Sequence, residues 1–150
     1  MCISRFPFLL RLLTVLLLTI PGRLAATDAV VGDGTPASCT ELALDSAVAS
    51  ANSGGGTITF ACGAEPVTIA LTGAKTITAF VTVDSDLLVT LSGGYATRHF
   101  IASAGGVLTL RDIALVQGQA AGGGATLAES ASEAHFFHTT ITDNVSTTNT

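Results

Sequence analysis

Two segments near the C-terminal end of this chain repeat each other at a fixed distance, and that repeat limits the possible folds more than any other feature. Setting Leu108, Leu110, Ile113, Leu115 and Gly118 against Ala134, Phe136, Thr139, Ile141 and Asn144 gives a shift of 26 residues. Apolar or β-branched side chains fall at matching offsets, and each segment ends on a residue tolerant of left-handed backbone angles. A strand-and-turn unit of roughly 20–30 residues cannot bury its own apolar face. It becomes stable only when neighbouring coils stack against it.

The same texture runs upstream as far as Thr57. Short alternating runs follow one another: TITFA from Thr57, VTIALT from Val67, KTIT from Lys75, VTVD from Val81, LVTLS from Leu88, HFIAS from His99, VLTLRDIALVQG from Val107 and HFFHTTITDN from His135. Thr, Val and Ile dominate them, as half-buried pleated positions favour, and Gly, Ser, Asn and Asp fill the gaps. The glycine-rich GQAAGGGA between the two repeat copies is expected to be a turn or a loop leaving the coil. An antiparallel sandwich also has many short strands. However, the two-residue hairpin turns it needs are missing between these runs, Asp33-Gly34 lying ahead of them. The fold class expected is therefore all-β, a β-solenoid occupying residues 57–150.

Ahead of the strands lies one helical stretch. Ser38 with Glu41 three residues on has the spacing of a capping box. TELALDSAVASAN then places Leu44, Ala47, Val48 and Ala51 on one face, and Gly54-Gly55-Gly56 ends it. The narrow stripe of small side chains suits a short capping helix laid over the open end of another element, within an N-terminal segment at 30–56.

Residues 1–29 read as a signal peptide. A basic start from Met1 to Arg11 leads into the apolar run LLTVLLLTI, then the breaker Pro21-Gly22 and RLAATDA. Small residues at the −1 position allow cleavage after Ala26 or after Ala29. The apolar run is well short of the roughly 20 residues needed to cross a bilayer, so no membrane span is expected after cleavage. Cys2 leaves with that segment, and two cysteines remain, Cys39 and Cys62. Two free thiols or half of a metal site are the competing readings. Structural zinc wants four ligands, whereas an oxidising compartment favours a disulfide. A Cys39–Cys62 bridge closing a loop of about 20 residues is worth roughly 2–4 kcal/mol.

GDGTPASCTELALDSAVASANSGGGTITFACG, followed by KTIT, VTVD, LVTLSGGYATRHF and GGVLTLRDIALVQG, resembles the N-terminal portion of bacterial right-handed parallel β-helix repeat proteins. These belong to the pectin-lyase-like superfamily and are similar in style to the polymorphic outer-membrane protein repeats. The resemblance covers about Val31 to Asn144. It implies a right-handed parallel β-helix with an N-terminal cap, exported to the medium or the cell surface of a bacterium. Such proteins are usually longer than this one, so a chain truncated on its C-terminal side is expected, its last coil exposing strand edges and apolar interior.

The resemblance also raises the alternative of a polysaccharide lyase or glycoside hydrolase. Hydrolysis needs two carboxylates at a set separation, and calcium-assisted elimination needs several carboxylates plus a base. The candidates are Asp84, Asp86, Asp112 and Asp143, with Arg98 or Arg111 as base or charge stabiliser. Asp84 and Asp86 would share a face on a strand, but the preference of Asp for turns explains them more simply. Arg98 and Arg111 are expected at the solvated surface. His99, His135 and His138 have no metal-ligand spacing with a carboxylate or Cys partner. The expectation is no catalytic residue, no cofactor and no metal, and a structural or adhesive role toward glycans or other surface proteins. Tyr95 is the single aromatic candidate for sugar contact, and Asn144-Val145-Ser146 fits a glycosylation acceptor but reads as a turn. Without the first 23 residues, Lys75, Arg98 and Arg111 face eleven acids, a net charge of about −8. Nucleic acid, which is bound through clustered cations, is excluded as a partner.

Overall fold

The computed structural model describes residues 25–147, so the proposed leader lies almost wholly outside the described residues. Those residues are mostly β, with one α-helix, and the strand pairings among them are parallel. In chain order the elements are β1 (Ala29–Val31), a 3-10 turn (Pro36–Ser38), α1 (Glu41–Asn52), β2 (Gly56–Phe60), β3 (Val67–Ala70), β4 (Lys75–Ile77) and β5 (Phe80–Asp84). Then come β6 (Val89–Ser92), β7 (Phe100–Ala102), β8 (Val107–Arg111), β9 (Ala114–Val116) and β10 (Gln119–Ala121). β11 (Thr126–Ala128), β12 (Glu133–Phe137), β13 (Thr140–Thr142) and β14 (Val145–Thr147) complete the set.

From β2 onward, strands that follow one another in sequence lie in different sheets. The sheets run β1-β2-β5-β8-β12, β3-β6-β9-β13, β4-β7-β11 and β10-β14. The repeat sets the register: Leu108 faces Ala134, Leu110 faces Phe136 and Leu115 faces Ile141, each 26 residues on. The third sheet keeps the same step, Phe100 facing Thr126. Alternation then sends one row of each strand inward. Ile58, Val83 and Leu110 stack in one buried column, Leu91 and Leu115 in another, and Ile77 with Ala102 in a third. Phe136 and Ile141 continue two of these columns, yet they are 43% and 46% exposed, because no further strand covers the last coil among the described residues.

At the opposite end α1 covers the strands. The buried face of α1, Leu44, Ala47, Val48 and Ala51, packs over β1, β2, β4 and β5. Asn52 fastens its last turn, donating through Nδ2 to the Thr76 carbonyl at 2.8 Å and accepting from the Thr78 N–H at 2.9 Å. A disulfide joins Cys39 to Cys62 with their Cα atoms 5.6 Å apart. It ties the start of α1 to the chain leaving β2.

Four expectations change. Ser38 is not the helix cap: its hydroxyl donates to the Thr35 carbonyl and accepts from the Asp33 N–H, serving the 3-10 turn. Thr40 caps α1 instead, its Oγ1 accepting from the Ala43 N–H at 3.2 Å. GQAAGGGA is not simply a loop, since β10 lies inside it and pairs with β14. A further strand, β1, precedes the helix and pairs with β2 at Ala29–Ile58. Finally, the left-handed residues are Gln117 and Asp143, one place before Gly118 and Asn144.

Candidate functional site

The outward row of the five-stranded sheet is the most continuous surface the fold builds. Register places Thr57, Thr82, Thr109 and His135 side by side along it. Phe80, Val107 and Glu133 form the row on one side of these residues, and Asp84, Arg111 and Phe137 the row on the other. Phe80 is 72% exposed and Phe137 49% exposed, so two phenyl rings border a band of hydroxyls. Arg111 lies over the Phe137 ring at 5.6 Å from its centroid, a cation–π contact.

The charged candidates are paired off rather than gathered. Arg111 Nε stands 3.8 Å from Asp84 Oδ2, His135 Nε2 is 3.0 Å from Glu133 Oε2, and His138 Nδ1 is 3.4 Å from Asp112 Oδ1. Asp84 ends β5 while Asp86 sits in the following turn with φ 51°, its N–H directed at Asp84 Oδ1. The two aspartates therefore form a turn and not a strand face. Asp112 and Asp143 also adopt left-handed turn conformations, at φ 51° and 54°. Among the described residues no three His, Cys, Asp or Glu side chains come together as metal ligands. Arg111 is half exposed, as expected of an outward strand position.

Arg98 departs from expectation. It is partly buried, one guanidinium nitrogen donating to the Ala121 carbonyl, so it braces the β10 segment rather than meeting solvent. His99 is fully buried, with Nε2 3.0 Å from both the Leu91 and Val116 carbonyls. Two carbonyl acceptors require the proton on Nε2, and burial pushes the imidazole pKa down, only partly offset by the carbonyls of Val116, Ala125 and Leu91. This histidine links β6 to β9. Tyr95 is 48% exposed in the turn after β6, away from the threonine band. Asn144 is engaged within the protein: Oδ1 accepts from the Gly118 N–H at 2.6 Å and Nδ2 donates to the Leu115 and Thr142 carbonyls. It belongs to the turn reading, not to glycosylation.

Sequence reasoning missed a buried charge cluster. Lys75 is 6% exposed, and its Nζ lies 2.6 Å from Glu41 Oε1 and 2.6 Å from Asp45 Oδ1. Glu41 also accepts from the Thr72 N–H, the Thr72 hydroxyl and the Gly73 N–H. Burial raises the Glu41 pKa, but the bonds from Lys75 and Thr72 and the charge of Lys75 outweigh it and hold the carboxyl at about 2. The available signal was alternation: Lys75 heads the KTI strand at an inward place, in register with Phe100.

An open cleft of about 540 Å³ runs between β1 and α1, lined among others by Thr27, Asp28, Ala43, Ser46 and Ser50. Ser46 and Ser50 spend their hydroxyl protons on the carbonyls of Leu42 and Ser46, which leaves them as acceptors only. No family model, curated protein or solved structure matches this chain.

Proposed function

We propose that this chain is the capped opening section of a right-handed parallel β-helix in an exported bacterial protein, non-catalytic, presenting its sheet faces to glycans or other surface proteins. The observation that carries the reading is the asymmetry of the stack. One end is sealed by α1 and the Cys39–Cys62 bridge, while the other continues its apolar columns to exposed Phe136 and Ile141. A sealed start with stackable coils is how solenoids set a polarity and lengthen by repetition. The side-by-side threonines between Phe80 and Phe137 suit contact with hydroxylated or extended partners, through hydroxyl hydrogen bonds and ring faces.

The test is a binding survey of the purified exported chain on immobilised glycans and bacterial surface proteins, repeated with Phe80→Ala and Phe137→Ala. Binding that both substitutions weaken supports the presenting face. Binding that survives both removes it. Incubation with polyuronates, followed by ultraviolet absorbance, tests the lyase alternative, because unsaturated product would overturn the non-catalytic assignment.

A further inference from the structure

We infer that the leader is removed by cutting the Ala26–Thr27 bond and not the Ala29–Val30 bond. This rests on the export reading above. By residue type the two sites compete: each offers Ala at −1, and the second also offers the small Thr27 at −3, where the first has Leu24.

The fold separates them. Thr27 donates its N–H to the Gly55 carbonyl at 2.6 Å. Asp28 Oδ1 accepts the Thr57 N–H at 2.7 Å, and Ala29 opens β1 opposite Ile58. The chain opposite is shaped for these residues. Gly56 has φ 143°, and a Cβ there would stand 2.5 Å from the Thr27 carbonyl oxygen, so only glycine lets the Thr27 backbone lie on it. Cutting after Ala29 would discard all of these contacts, leave the Thr57 N–H without its partner and remove one residue of a three-residue strand. Upstream the picture reverses. Ala25 and Ala26 are exposed, and among the described residues the hydrogen bond reaching them is the Thr27 hydroxyl to the Ala25 carbonyl at 3.5 Å, which stays within the same short segment.

The step is a peptide hydrolysis carried out by a signal endopeptidase. Water oxygen adds to the Ala26 carbonyl carbon and the C–N bond to Thr27 breaks. Ala26 keeps the new carboxylate, and the Thr27 nitrogen takes up both protons of the water. The resulting ammonium still donates to the Gly55 carbonyl, now as a charged and stronger donor.

The full chain is expressed in an exporting bacterial host, and the processed product is read by N-terminal sequencing and intact mass. A Thr27 start is expected. Ala26→Leu should accumulate precursor, and Ala29→Leu should be processed like the parent, a readout that does not require the variant to fold. A product starting at Val30, or at any other residue, overturns the inference while leaving export intact. A chain that stays unprocessed in the cytoplasm overturns the export reading itself.

Discussion

Replacing Glu41 by Gln isolates the charge of the buried cluster while keeping an oxygen that accepts the Thr72 and Gly73 N–H groups. In the folded chain the Glu41 carboxyl is held at about 2, against an ordinary 4.5. Each pKa unit of difference between folded and unfolded chain corresponds to about 1.4 kcal/mol, so the ceiling is about 3 kcal/mol. The side chain keeps 19% exposure, and solvent screening brings the expected contribution to about 2 kcal/mol. The sign follows from linkage. A depressed carboxyl stabilises the fold at pH values above 4.5, and that stabilisation is lost as pH falls from 4.5 toward 2. Urea unfolding followed by circular dichroism, at pH 7 and in steps to pH 2.5, reads it directly. The parent should exceed Glu41→Gln by about 2 kcal/mol at pH 7, and the gap should shrink with acid. A gap that stays constant across that range, or no gap at pH 7, would refute the assignment of the charge to Lys75.

Reducing the chain, or substituting Cys39 and Cys62 together by Ser, should lower stability by about 2–4 kcal/mol in thermal or urea unfolding; superimposable curves would show that the bridge does nothing for the cap. His99 has a lowered pKa, so stability should fall as pH drops below 6.5 and the unfolded chain takes up the proton first. Substituting His99→Gln should flatten that part of the profile, and an unchanged slope would assign it to other groups. Gly118→Ala places a methyl against the Gly124 carbonyl and 2.7 Å from His99 Cε1, which should destabilise by about 1–3 kcal/mol of overpacking. An unchanged unfolding midpoint would show that the coils part to accept it.

Periodicity made the longer strands, the 26-residue pairing and the helix face legible, because each depends on side chains recurring at a spacing fixed by backbone geometry; the cysteine pair was legible from its even count beside an export leader. β1, β10, β11 and β14 were invisible for the opposite reason. Three-residue strands such as Gln119–Ala121 are too short to show alternation and exist only because a neighbouring coil supplies the partner. The cap moved from Ser38 to Thr40 because Pro36 starts a 3-10 turn that uses the Ser38 hydroxyl. The burial of His99 and the anchoring of Arg98 depend on where the 118–125 segment crosses them, which is tertiary information. The outer band was legible only in part: the alternation of threonines could be read, but not that Phe80 and Phe137 would flank them.

The short step between paired strands has a kinetic consequence. Each strand finds its partner 22–29 residues back, so the loop that must close stays short wherever along the sheets the pairing occurs. The entropy of bringing partners together therefore does not grow as the stack lengthens. A chain emerging N-terminus first, from a ribosome or a membrane pore, has its sealed end available earliest as a template. Every later coil can then add to a finished edge, so folding can advance at the pace of emergence without waiting for the last residue.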